Sequence, residues 1–249
     1  ILGILSVFSG CSLRYRSTSI PNRLFRCSRI LRGALLFHRA GVAIVSTIFG
    51  LEPDIQEVAD RLAAAGCVAS IPNIFWRDED PGVIPSPQGF DRAVARSRRL
   101  DLDRSMADLA AAIGDLRRRG QCNGRIAVMG FCLGGPYALL AAASLGIDLA
   151  LSYHGSYVGK HIAAVERVRC PLSFHYGDRD PIAPMSEIED IKRAFARVPN
   201  AEVHVHPGAG HGYMLRHRKD YLPDAAELSW KRTFELFEPL KTRTAQAAE

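Results

Sequence analysis

Three short stretches of the chain carry residue types that could do chemistry together. A cysteine sits among glycines in Gly130-Phe131-Cys132-Leu133-Gly134-Gly135, and a histidine sits between glycines in Gly210-His211-Gly212. Between them lies the aspartate-rich turn Gly177-Asp178-Arg179-Asp180-Pro181. A thiol, an imidazole and a carboxylate are the parts of nucleophilic acyl transfer: one attacks, one moves the proton, one orients the ring. The pattern G-x-C-x-G has the form of a nucleophile elbow in which thiol replaces hydroxyl. On this reading Cys132 attacks, His211 is the general base and Asp180 orients it. A helix beginning near Leu133 would aim its N-terminal dipole at the sulfur and favour thiolate.

The remaining cysteines and histidines look structural. Cys67 falls in an apolar run and Cys170 precedes Pro171. The six cysteines, at 11, 27, 67, 122, 132 and 170, show no C-x-x-C pair and no metal-site rhythm. His204 and His206 alternate with valines and so share one strand face, but no acid or thiol is placed to complete a metal site with them. The expectation is therefore neither metal nor cofactor, and a reducing, cytoplasmic setting.

The elements that must position these groups alternate in type. Residues 41–46 read as a buried strand, and Glu52 to Ala65 as a helix with Ile55, Val58, Ala59 and Leu62 on one face. A second strand covers 67–71, and the Pro- and Gly-broken stretch 77–90 reads as a loop. Leu102, Met106, Leu109, Ile113 and Leu116 mark an amphipathic helix ending near Gly120. Strands at 125–129, 149–153, 172–176 and 203–206 follow, with helices from Pro136, from Met185 to Arg197 and from Pro223 to Leu240. Alternating strands and helices predict a mostly parallel sheet covered on both faces, in one domain. The three reactive stretches then all lie on loops that follow strands, in the order nucleophile, acid, histidine, which is the chain order of α/β-hydrolases.

Composition narrows the partners. The 249 residues carry a formal charge of +6, but residues 1–40 hold seven arginines and neither Lys, Asp nor Glu. The remainder has 25 basic and 26 acidic side chains, a balance that gives no reason to invoke nucleic acid. No apolar run reaches the length of a membrane-spanning helix. Residues 1–40 read as an Arg-rich N-terminal extension or a mis-assigned start. Their apolar run Ile1 to Phe8 followed by Ser9-Gly10-Cys11 is an incomplete targeting signal, and 242–249 reads as a tail.

From about residue 41 to 241 the chain resembles the dienelactone hydrolases, the carboxymethylenebutenolidase family. The matching pieces are Ile48-Phe49-Gly50, the Gly130–Gly135 elbow, Phe174-His175-Tyr176-Gly177-Asp178-Arg179-Asp180 with Pro184, Ala209-Gly210-His211, and Trp230-Lys231-Arg232-Thr233. The resemblance implies a single-domain α/β-hydrolase fold, a Cys132–His211–Asp180 triad, and hydrolysis of a lactone or ester. It prefers Asp180 to Asp178, because G-x-x-D-x-x-x-P is met by Gly177, Asp180 and Pro184. It also implies an oxyanion hole made by the backbone N–H groups of Leu133 and Ile48, and arginines that hold a substrate carboxylate. Arg77 in Pro72-Asn73-Ile74-Phe75-Trp76-Arg77 matches one such arginine, and Arg216 stands one residue beyond the place of the other. Where the family has a Glu beside the resting thiol stands Thr47, which carries no charge, and the family's N-terminal strands are not recognisable in 1–40. The expected protein is a monomer or weak homodimer acting on a small lactone or ester. A general carboxylesterase or thioesterase on the same triad, and a binding protein that keeps only the pocket, are the alternatives.

Overall fold

The computed structural model describes residues 4–7 and 39–241. The Arg-rich segment beyond residue 7, with Cys11 and Cys27, and the tail 242–249 lie outside the described residues. Seven strands form one sheet: β1 (Ile4–Val7), β2 (Arg39–Val45), β3 (Val68–Pro72), β4 (Cys122–Phe131), β5 (Leu149–Tyr153), β6 (Leu172–Gly177) and β7 (Ala201–His206). Their spatial order is β1-β3-β2-β4-β5-β6-β7, with β1 antiparallel to β3 and the remaining pairs parallel. An edge strand at Ile4–Val7 thus stands in a region where the sequence showed none, because a four-residue apolar run bears no periodicity that sets it apart.

Six α-helices accompany the strands: α1 (Pro53–Ala64), α2 (Phe90–Arg98), α3 (Leu102–Arg118), α4 (Gly135–Ser144), α5 (Met185–Phe195) and α6 (Pro223–Lys241). The central strands sort their side chains by the two-residue period of a pleated strand. In β4, Ile126 and Val128 join a cluster with Leu109, Ile113 and Leu116 of α3, Leu139 of α4 and Ile188 of α5. Ala127, Met129 and Phe131 face the other way, into a cluster with Ile55 and Leu62 of α1 and Trp230 and Phe237 of α6. Both faces are apolar, so these strands read in sequence as continuous hydrophobic runs.

Two further elements were not legible in the sequence. Helix α2 follows the predicted loop, and only Ala93 and Arg96 of its nine residues are buried, so it has no apolar stripe to betray it. A 3-10 segment at Val158–Arg167 packs beside α4 and α5. Strand β4 also begins earlier than its apolar run, at Cys122.

The chain leaves β2 toward β3 on one side and returns to lay β4 on the other. The carboxyl ends of β2 and β4 therefore lie side by side at the point where strand order reverses, the usual crevice for ligands in such sheets. Phe237 is fully buried in this core. Phe237→Ala is expected to cost about 3–5 kcal/mol of stability, read as a lower midpoint in urea unfolding.

Candidate active site

The elbow is built by close backbone approaches. Cys132 has φ +53°, a left-handed backbone that a non-glycine residue adopts only where its surroundings enforce it. A Cβ at Gly130 would lie 1.9 Å from the Gly134 carbonyl oxygen, and a Cβ at Gly134 would lie 2.3 Å from that of Val45. Only glycine permits either contact, so the elbow can fold back on β4 and against the end of β2. The sulfur is thereby lifted to the rim of the sheet, where the 3-10 turn Cys132–Gly134 leads into α4.

The other two groups arrive on neighbouring loops. A Cβ at Gly177 would lie 2.1 Å from the Ala209 carbonyl oxygen, so the loops after β6 and β7 pack backbone to backbone. The two aspartates of the first loop divide their work. Asp178 accepts the Gly208 N–H at 2.7 Å and ties the loops together. Asp180, with a fully buried side chain, accepts from Ile182 N–H at 2.8 Å and from Ala183 N–H at 3.2 Å through Oδ1. Its Oδ2 lies 2.8 Å from His211 Nδ1, leaving the other ring nitrogen for the sulfur. Cys132 and His211 lie near enough for each to govern the other's ionisation.

Electrostatics make this an ion pair. Burial alone would push the Cys132 thiol up; the His211 charge, its hydrogen bond, the Ser156 hydroxyl and the Leu133 N–H outweigh it and hold the thiol below its ordinary range. Burial alone would push His211 down, but the Cys132 thiolate and Asp180 carry it up to about 10. Each group thus favours the charged form of the other.

The structure thus brings Cys132, His211 and Asp180 together. The Leu133 N–H reaches the sulfur, and Ile48 sits in the turn that follows β2, closed by Gly50 N–H donating to the Thr47 carbonyl at 3.1 Å. Thr47 is buried and donates its hydroxyl to the Glu52 carboxylate. The charge absent from position 47 is therefore present five residues later, against the Thr47 side chain. Glu52 accepts both Nη2 contacts of Arg218, at 2.6 and 2.5 Å, and burial holds its carboxyl above the usual range against the pull of Arg218 and Thr47. Arg218 lies over the Phe49 ring at 4.4 Å and along Gly212, the residue after His211.

The two expected carboxylate readers lie differently. Arg77 pairs with Asp108, which also accepts the Trp76 indole N–H at 2.9 Å, and its guanidinium stacks on the Trp76 ring at 4.0 Å. Arg216 is 69% exposed and faces Glu57 of α1 at 3.8 Å, apart from the triad.

Sequence reasoning misses four neighbours of the site. Ser156 follows β5, its Oγ 3.5 Å from the Cys132 sulfur and its N–H donating to the Cys132 carbonyl at 3.0 Å. His154, buried at φ +39°, sets its ring edge-on to His211 with centroids 5.0 Å apart. Burial first, then the charges of His211 and Arg218, keep His154 neutral, well below its usual range. Glu52 and Arg218 complete the set. A histidine directly after a strand, as in Tyr153-His154-Gly155, was the one available signal.

His204 and His206 share a strand face as their spacing predicts, and His175 of β6 joins them from the next strand. His175 Nδ1 lies 3.4 Å from His206 Nε2, which contacts Ser229 Oγ at 3.1 Å, which in turn contacts the Tyr213 hydroxyl at 2.8 Å. These rings are spent on α6 and on each other as a buried polar network behind the triad. Elsewhere Asp54, Glu57 and His217 bring three ligand-type atoms within 4.8 Å, but Asp54 is engaged by the ring and backbone N–H of His217.

Comparison with known proteins gives the family. The model of the dienelactone hydrolase family matches residues 34–241. The chain is 30% identical over 205 residues to a carboxymethylenebutenolidase of Pseudomonas putida, covering 81% of this chain and 86% of that one. It is 31% identical to carboxymethylenebutenolidase 1 of Cupriavidus pinatubonensis, over 80% and 86% of the two chains. Among solved structures, a candidate dienelactone hydrolase from Klebsiella pneumoniae superposes with a TM-score of 0.73 at 26% identity, over 82% and 88% of the two chains.

Removing the imidazole should expose the cost of burying the sulfur. In His211→Ala only the Ser156 hydroxyl and the Leu133 N–H remain to oppose desolvation of the thiolate, so the Cys132 pKa rises, and iodoacetamide alkylation at pH 7 slows by at least about tenfold. In the intact protein the alkylation rate holds to lower pH than in His211→Ala, because the imidazolium favours the thiolate until the pH falls through its lowered pKa. A pH–rate series on both proteins measures the difference.

Proposed function

Because the chain belongs to the dienelactone hydrolase family, as its match over residues 34–241 shows, we propose that it cleaves a lactone or ester bond through a Cys132–His211–Asp180 triad. The observation that carries this reading is the unbroken line of contacts from a left-handed Cys132 at an elbow, through His211, to the fully buried Asp180. The catalytic unit spans 41–241, and each step uses the chain's own groups.

The Cys132 thiolate attacks the carbonyl carbon, and the carbonyl electron pair moves onto oxygen. The Leu133 and Ile48 amides receive that oxyanion; such donors lower the barrier because charge develops where they already point. As the carbonyl reforms, the C–O bond to the leaving group breaks and the His211 imidazolium gives its proton to the departing alkoxide. His211, now neutral, takes a proton from water, whose oxygen attacks the thioester. The second oxyanion collapses, the C–S bond breaks, and acid is released with thiolate and imidazolium restored. Asp180 holds the ring in the productive tautomer throughout. A thiolate nucleophile and the free cysteines 67, 122, 132 and 170 suit a reducing, cytoplasmic setting.

Arg77 is the residue proposed to read a carboxylate on the substrate, since its planar fork is held by Asp108 and Trp76 yet stays 45% exposed. The same ion pair favours a second reading, a general carboxylesterase, because it already spends part of the guanidinium's charge. Turnover of a chromogenic short-chain ester and of a carboxylate-bearing lactone tests both. Cys132→Ala should lose hydrolysis of either substrate by several orders of magnitude. Arg77→Ala should lower kcat/KM for the carboxylate-bearing lactone about tenfold or more beyond its effect on the neutral ester. Equal losses would establish the carboxylesterase reading, and full activity in Cys132→Ala would overturn the triad.

A further inference from the structure

Arg96 is the largest fully buried side chain of the described residues, and it faces no carboxylate within ion-pair reach. The nearby acids are engaged elsewhere: Asp80 pairs with Arg92 at 2.8 Å and Asp78 with Arg99 at 2.7 Å. The guanidinium spends itself on backbone carbonyls. Nη1 donates to Asp80 O at 2.9 Å and to Gly82 O at 2.6 Å, while Nη2 donates to Ile48 O at 2.7 Å. Its flat face lies on the Phe75 ring at 3.8 Å, and Nε has no partner among the described residues. A buried cation held by carbonyl dipoles and an aromatic face, with the Asp80 and Asp78 charges only beyond ion-pair distance, is an expensive device, and core packing alone would be better served by an apolar side chain.

What the device holds is the turn after β2. Thr47, Ile48, Phe49 and Gly50 make that turn, in which Phe49 N–H is taken by the Thr47 hydroxyl at 3.2 Å and Gly50 N–H by the Thr47 carbonyl. Ile84 N–H donates to Phe49 O at 3.0 Å, so the 80–84 segment and the turn are sewn together on both sides of Arg96. Gly50, at φ +82°, passes so close that a Cβ there would lie 3.2 Å from Arg96 Nη2 and 3.3 Å from Gly82 O. The Ile48 carbonyl is thus fixed from α2, and with it the twist of the turn that carries the Ile48 N–H.

We propose that Arg96 is a positioning residue of the oxyanion hole: its fork aligns the 47–50 turn through the Ile48 carbonyl so that the Ile48 amide meets the oxygen of the acyl group on Cys132. The inference rests on the hydrolytic reading above. Lysine cannot replace the fork, since a point charge reaches one carbonyl at a time.

The test separates acyl transfer, which needs an oxyanion hole, from alkylation of the sulfur, which does not. Stoichiometric labelling with iodoacetamide counts intact thiolate sites in wild type, Arg96→Lys and Gly50→Ala, the last disturbing the same clamp from the opposite side. p-Nitrophenyl acetate turnover is then expressed per labelled site. Loss of an oxyanion donor costs about 10²–10³ in kcat, so a misaligned one should cost from about tenfold up to that range. KM should move by less than about threefold, and the alkylation rate per site should stay within about twofold. Unchanged kcat per site in both variants overturns the assignment. So does an alkylation rate that falls in parallel with kcat, since Arg96 would then serve the whole site and not the oxyanion turn. Absence of turnover in wild type, with alkylation intact, overturns the hydrolytic reading itself and is thereby distinguished from either result.

Discussion

Everything at this site depends on how closely backbone can approach backbone around Cys132. The elbow needs a left-handed cysteine, and that conformation survives only because Gly130 and Gly134 let the turn collapse onto its own strand and onto the end of β2. The same rule repeats at Gly177, whose contact with Ala209 sets the acid loop against the histidine loop. Glycines fix the distances, and the side chains that do chemistry inherit them. The sheet supplies the frame, because loops after β2, β4, β5, β6 and β7 all emerge at its carboxyl edge.

Burial and charge then oppose each other across the triad. Desolvation works against both the thiolate and the imidazolium, yet each is the other's largest favourable neighbour. Each charge is favoured beside the other and penalised by burial alone. Asp180 contributes by geometry as well as charge: two backbone N–H groups fill one of its oxygens and leave the second for His211. Neutral His154 walls the ring on one edge, and behind it the chain from His175 through His206 and Ser229 to Tyr213 is held by α6.

The turn after β2 is held from two directions by cations with different partners. Arg218 meets a carboxylate, Glu52, and covers Phe49; Arg96 donates to carbonyls, one of them that of Ile48, and covers Phe75. Thr47 joins the two systems, since its hydroxyl both donates to Glu52 and receives the Phe49 N–H. The turn packs Ile48 and Phe49 against Ile84 and Ala93, and the polar clamps add to that small apolar cluster.

The chain by itself determined the strand and helix alternation, the glycine-flanked turn at Cys132, the order in which the cysteine, aspartate and histidine loops follow their strands, and the choice of family. Those features are local: a run of apolar residues, a glycine spacing or a turn motif carries its meaning within a few residues. Partners across the fold were decided only by tertiary structure. Nothing near Thr47 in sequence says that Glu52 turns back to meet it, or that Arg218, and not Arg216, closes over the turn while Arg216 faces Glu57 at the surface. Helix α2 has too few buried residues for its period to show, yet it delivers the buried guanidinium that grips Ile48. Asp178 and Asp180 are separated by one residue and differ wholly in role, because one points at Gly208 and the other at His211. A long polar side chain takes its role from whatever lies at its tip, and the tip of an Arg or Glu reaches residues that the fold, not the sequence, brings near.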